Sequence, residues 1–183
     1  MNHLTVQDLI DREEIHDVLT RYCRGLDRID EDLIRSAFFS DALIGFPGDV
    51  YQGPVDGFVK FLSKEMRDFE RTQHFLGNCY IELDGDVAYV ETYLMANHRA
   101  TMQHKWHGKH VTLWGRYVDR FEKREGEWRI AQRRLLLDFQ RDDNAGGWRE
   151  IPKEQLGLRD QEKDPAITHE QLTAEKLKMG DNQ

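Results

Sequence analysis

Up to about residue 69 the apolar positions recur every three or four residues, and from about residue 74 to 139 they alternate with polar ones. Ile15, Val18, Leu19, Tyr22, Cys23 and Leu26 fit one buried stripe of a helix over residues 5 to 29, with Thr5 or Asp8 placed to cap its start. Gly25 weakens that helix, and "DRIDEDLIRSAF" restarts a shorter amphipathic one through Leu33, Ile34, Ala37 and Phe38. "DALIGFPGDVYQGP" reads as a short strand and a Gly/Pro loop. "VDGFVKFLSKEMRDF" then sets Phe58, Phe61, Leu62 and Met66 on one face of a third helix.

The period-two region holds two strand pairs, turning at Asp84-Gly85-Asp86 and at Glu125-Gly126-Glu127. Three helices followed by a meander of long antiparallel strands predict an α+β fold, with helices laid against one face of a curved sheet. Strict alternation puts Phe75, Cys79, Ile81 and Leu83 on one face of the first long strand and His74, Leu76, Asn78 and Tyr80 on the other. In the next strand Ala88, Val90, Thr92, Leu94, Ala96, His98 and Ala100 share a face of mainly small apolar residues, which leaves room for a pocket. Residues 1 to 140 therefore form the expected domain, and 141 to 183 a charged extension placed to wrap a neighbouring subunit.

Composition narrows the function classes. Hydrophobic residues make up 39% and charged residues 33%, the mean hydropathy is -0.75, and no apolar run is long enough to span a membrane, so a soluble protein is expected. The acidic start "MNHLTVQDLIDREE" lacks the basic and apolar regions of a secretory signal, and the cytoplasm is the expected compartment. A net charge of -8 argues against a nucleic-acid surface, because phosphate binding needs a concentrated basic field. Cys23 and Cys79 fall in a helical and a strand pattern and read as buried small hydrophobes. Exposed strands of the meander need covering, so a homodimer or homotrimer packed sheet on sheet is expected.

Few residues carry chemistry. Asp27 continues the buried stripe toward its margin, four residues after Cys23, where a carboxylate can reach inward and accept from an imidazole N–H. His74 supplies such an imidazole, and an aspartate on one ring nitrogen would leave the other as a general base. Spacing does not join the two, and either residue alone also suits a purely structural role. Leu76, Asn78 and Leu94 are candidate substrate-binding residues, with Trp106 and Met102 placed to cap a pocket. His104, His107 and His110 have ligand-like spacing but lie between strands without a matching carboxylate pattern, so no metal is expected. The arginines of "QRRLLLDF" read as a strand face and subunit contact.

The stretches "REEIHDVLTRYCRGLDRID", "TQHFLGN", "GDVAYVETYLMANHR" and "GRYVDRFEKREGEWRIAQRR" resemble the SnoaL-like group of the nuclear-transport-factor-2-like superfamily, over about residues 5 to 140. The resemblance implies a cone-shaped half barrel with a deep pocket, in a family of dehydratases, a dehydrochlorinase, polyketide cyclases, ketosteroid isomerases and non-catalytic subunits. It implies that Asp27 and His74 form the Asp-His dyad of scytalone dehydratase and the dehydrochlorinase, and that His98 matches the second histidine of scytalone dehydratase. Tyr22 stands where the dehydrochlorinase has a lysine and bile-acid 7α-dehydratase a tyrosine. The serine and asparagine that scytalone dehydratase adds around its substrate have no match.

Together these readings predict a cofactor-independent dehydratase-like lyase or isomerase acting on a cyclic, hydrophobic, oxygenated small molecule of steroid or polyketide type. Two alternatives stay open: a binding protein that leaves its ligand unchanged, and a structural β-type subunit of a ring-hydroxylating dioxygenase.

Overall fold

Thr5 and Asp8 act together at the start of the first helix, α1 (Val6–Arg28). The Thr5 hydroxyl accepts the Asp8 N–H at 3.1 Å, and the Asp8 carboxylate accepts the Thr5 N–H at 2.7 Å. In this computed structural model, which describes residues 4–48 and 50–144, α1 runs straight through Gly25 instead of weakening there. A Cβ on Gly25 would lie 2.8 Å from Ile34 Cγ1 and 2.9 Å from Ile34 N, so the glycine lets the second helix, α2 (Glu31–Ser36), pack against the first. Between them Ile29 takes a left-handed conformation, φ 54°, and Asp30 caps α2 by accepting the Leu33 N–H at 2.9 Å.

The helix expected to continue through Ala37 and Phe38 ends at Ser36, and Phe38 opens strand β1 (Phe38–Gly45). The chain continues through β2 (Gln52–Pro54), α3 (Val55–Arg67), β3 (Phe69–Asp84), β4 (Val87–Ala100), β5 (His110–Arg124) and β6 (Glu127–Asp143). The strands form one curved, unclosed sheet in the order β2-β1-β6-β5-β4-β3. β3 to β6 make the expected antiparallel meander, and both tight turns use left-handed residues: Gly85 at φ 59°, and Glu125 and Gly126 at φ 55° and 83°. One expectation is corrected: the sheet is mixed, because β1 lies parallel to β6. The long crossover through α3 and the other strands makes that direction reachable, and no local sequence signal announces it.

Ile15, Leu19, Leu26, Phe58 and Leu62 of the helices pack on the inner face formed by Val90, Leu94 and Ala96 of β4 and by Tyr117, Phe121 and Ile130. Buried Asp11 holds the first half of α1 to the β5–β6 turn, accepting from Lys123 Nζ at 2.8 Å and Trp128 Nε1 at 2.9 Å. The described residues lie in one compact unit. β6 reaches Asp143, past the expected boundary at 140, and the extension from 145 onward lies outside the described residues. Among the described residues no helix is long and apolar enough to cross a membrane.

Candidate active site

The last turn of α1 points Asp27 at β3, and three donors converge on its carboxylate. His74 Nδ1 and Thr72 Oγ1 each lie 2.8 Å from Oδ1, and the backbone N–H of His74 donates to Oδ2 at 3.0 Å. Burial alone would raise the Asp27 carboxyl, but the bonds and charge of His74, with Thr72, hold it below the ordinary carboxylate range. An ionised Asp27 can only accept, so Nδ1 of His74 carries a proton, and in the neutral imidazole Nε2 is the nitrogen with the lone pair. The His74 side chain is 5% exposed.

His98 faces Thr72 across the β3–β4 ladder and stands beside His74, with ring centroids 5.4 Å apart and planes at 90°. It is buried between His74 and the loop that joins β4 to β5. Trp106 from that loop meets His98 edge-on at 6.0 Å, and Phe69 meets it at 4.9 Å. Asp27, His74, His98 and Trp106 thus form one continuous group.

Tyr22 belongs to a neighbouring buried cluster. Its ring packs against Phe38 and Tyr117 and against the guanidinium of Arg133, 4.3 Å away. Arg133 is fully buried, stacks 3.9 Å from the Tyr117 ring, and makes a two-point ion pair with Asp119 at 2.7 and 2.8 Å. This corrects, for Arg133, the reading of "QRRLLLDF" as a strand face and subunit contact. Burial opposes the charge on Arg133, and the facing Asp119 carboxylate more than offsets it, so the guanidinium stays protonated. Burial also pushes the Tyr22 phenol well above its ordinary range, with Arg133 offsetting only part, so Tyr22 stays a neutral O–H donor. Neither the Tyr22 hydroxyl nor Arg133 Nη1 completes a hydrogen bond of normal geometry. Cys23 adjoins both centres: its buried thiol, pushed up to about 12, feels the charges of Arg133 and Asp27.

The sequence pattern of the SnoaL-like domain matches residues 7–134, which include every residue of both clusters. The chain belongs to the SnoaL-like family. This SnoaL-like chain is 28% identical over 142 residues to the uncharacterized Mycobacterium tuberculosis protein Rv2910c, covering 75% of the present chain and 92% of the relative. Its fold is similar to that of a putative scytalone dehydratase from Novosphingobium aromaticivorans (TM-score 0.66, 23% identity, 80% of this chain and 100% of the other). It is also similar to the LinA-type3 hexachlorocyclohexane dehydrochlorinase from Novosphingobium barchaimii (TM-score 0.68, 16% identity, 79% and 96%).

Within this SnoaL-like fold the remaining candidates separate. Leu94 is buried and Leu76 and Trp106 are partly buried against the core. Asn78 is exposed, which corrects its placement as a substrate-binding residue. The β3–β4 register slips between Leu76 and Cys79, and the extra residue turns Cys79 and Ile81 to the face of His74 while Tyr80 and Phe75 face out. Met102 is 68% exposed and caps nothing. Among the described residues no group of three His, Cys, Asp or Glu side chains is placed to hold a metal ion.

Arg133 went unread because a second slip, between Arg120 and Phe121, separates inward Ile130 from inward Arg133 by three residues. Asp119 carried a usable signal, since it shares its alternation with buried Tyr117 and Phe121. Surface clefts of about 300 Å³ beside Arg35 and Arg129, and of about 550 Å³ beside Asp17 and Trp128, include neither Asp27 nor His74.

Proposed function

We propose that this SnoaL-like protein is a cytoplasmic, cofactor-independent lyase or isomerase, with dehydration as the favoured reaction. Its substrate would be a cyclic, largely apolar, oxygenated small molecule of steroid or polyketide type. The observation that carries the reading is the grip of Asp27 on both the ring and the backbone of His74. It fixes the imidazole in the tautomer whose Nε2 can take a proton from a carbon next to a carbonyl, and the carboxylate stabilises the imidazolium formed.

As that C–H bond breaks, the electron pair moves into the carbonyl system, and the Tyr22 hydroxyl would donate to the developing oxyanion. His98 would enter as the imidazolium and give that proton to the departing hydroxyl, so water leaves and a conjugated double bond remains. His74 ends protonated and His98 neutral, and a proton returned through solvent resets the pair. Leu76, Leu94 and Trp106 would supply the apolar wall against which a ring lies.

The test is a panel of cyclic β-hydroxy ketones, following enone absorbance and solvent deuterium uptake at the α carbon. His74→Ala and Asp27→Asn are each expected to lower turnover by about 10²- to 10⁴-fold. Unchanged turnover would remove the dyad from the mechanism, and stoichiometric binding without product would favour a carrier instead.

We infer further that a second copy of this chain covers the outer face of the sheet. Phe75, Met95, Trp114 and Phe139 sit directly opposite one another across β3, β4, β5 and β6 in one apolar row. Arg116 beside that row is already paired with Glu91 and Asp138, so its charge does not select an acidic partner. Such a row buries best against its own copy, sheet on sheet.

A further inference from the structure

The β4–β5 loop has an unusual interior. It closes on itself through the Ala100 N–H to the Lys109 carbonyl and the Gly108 N–H to the Thr101 carbonyl, both 3.0 Å, and it is tied to the end of α3 by the Thr101 N–H to the Asp68 carbonyl at 3.2 Å. His107 and Gly108 take left-handed conformations, φ 44° and 71°, to complete the turn. At its centre is His104, whose side chain is only 3% exposed. An apolar residue would fill that space against Phe69 and Trp106, whose ring centroids lie 4.5 and 4.8 Å away, without desolvating an imidazole.

What the imidazole adds is direction. Its Nδ1 accepts the backbone N–H of Trp106 at 3.1 Å, which requires Nδ1 to be unprotonated and puts the proton on Nε2. Nε2 is buried, without a hydrogen bond, 3.9 Å from the Glu65 carboxylate. The indole fixed in this way is the one that meets His98 edge-on, and His98 in turn meets His74. We propose that His104, backed by Glu65, is a positioning residue for the candidate active site: it latches the β4–β5 loop so that Trp106 holds His98 beside His74. This proposal rests on the reading of His74 as the base.

A latch made of an unprotonated Nδ1 releases when that nitrogen takes a proton, because two N–H groups would then face each other. The charged groups facing His104 are Glu65 from α3, Asp68 from its cap and Lys105 from the loop, while β3 presents Phe69. Burial pulls the His104 imidazole below its ordinary value, with Glu65 opposing and Lys105 adding. Folded protein therefore binds the proton less readily than an open loop does, so the latch is complete above the ordinary imidazole range and weakens as pH falls below it.

Hydrogen exchange of peptides covering residues 101–109, corrected for intrinsic rates, tests this without substrate. The wild-type loop is expected to lose protection by about tenfold, the worth of roughly one hydrogen bond, between neutral pH and about pH 5. His104→Asn keeps an acceptor near Nδ1 that does not titrate, so its loop should stay protected at both pH values. His104→Leu should expose the loop at both and, on a turned-over substrate, raise KM, with His104→Asn restoring it. Wild-type protection in His104→Leu, or a wild-type pH response in His104→Asn, would overturn the proposal. Failure of the dyad reading shows instead as His74→Ala turnover equal to wild type, which leaves the exchange result separately readable.

Discussion

Asp27 holds His74 at two points, taking the ring Nδ1–H on one carboxylate oxygen and the backbone N–H on the other. One aspartate thereby fixes both the orientation of an imidazole and the position of the strand that carries it. The arrangement runs against the field of α1, since a carboxylate in the last helical turn meets the negative end of the dipole. Three donors offset that and the burial together.

Asp27→Asn should therefore cost stability as well as turnover, by about 1.5–3 kcal/mol for lost bonds to a charged acceptor. The Asp27 carboxyl is lowered in the folded protein, so its contribution is present above the ordinary carboxylate value and lost as pH falls through the folded one. Thermal unfolding of wild type and variant across about pH 3 to 7 should show a gap that is constant at neutral pH and closes at the acid end.

The Asp119–Arg133 pair makes a different prediction because both side chains are withdrawn from water. Arg133→Met leaves a buried carboxylate alone and should destabilise by about 3–5 kcal/mol. Asp119→Leu combined with Arg133→Met should recover a large part of that loss. A double-mutant cycle by urea unfolding measures the coupling.

Gly25 separates helix propensity from packing. Alanine in a helix interior is favoured over glycine by about 1 kcal/mol. At Gly25 the added methyl group meets the Ile34 backbone nitrogen at 2.9 Å, which cannot swing aside. Gly25→Ala should thus lower the urea midpoint, with a net loss of about 1–3 kcal/mol from overpacking.

Phe139 is 72% exposed and Phe75 59% exposed, at the two ends of the outer apolar row. Phe139→Glu should leave the circular dichroism spectrum unchanged and shift sedimentation to the monomer. A monomeric wild-type protein would remove the second copy from this face.

The helical stripe of α1, the two glycine turns of the meander and the small-residue face of β4 were all legible in the sequence. Each is a local pattern in which side-chain direction follows directly from residue spacing. Asp27 and His74 were legible as candidates for the same reason, and the family resemblance joined them.

Three things were decided only by the tertiary structure. The slip after Leu76 moved Asn78 away from the site and brought Cys79 onto the face of His74; the slip beside Phe121 turned Arg133 into the core. The contact that required Gly25 came from a residue nine positions away on another helix. A strand read alone has a period of two, and one extra residue inverts every side chain beyond it. Where that residue is inserted depends on how neighbouring strands curve around the helices, which no single segment encodes.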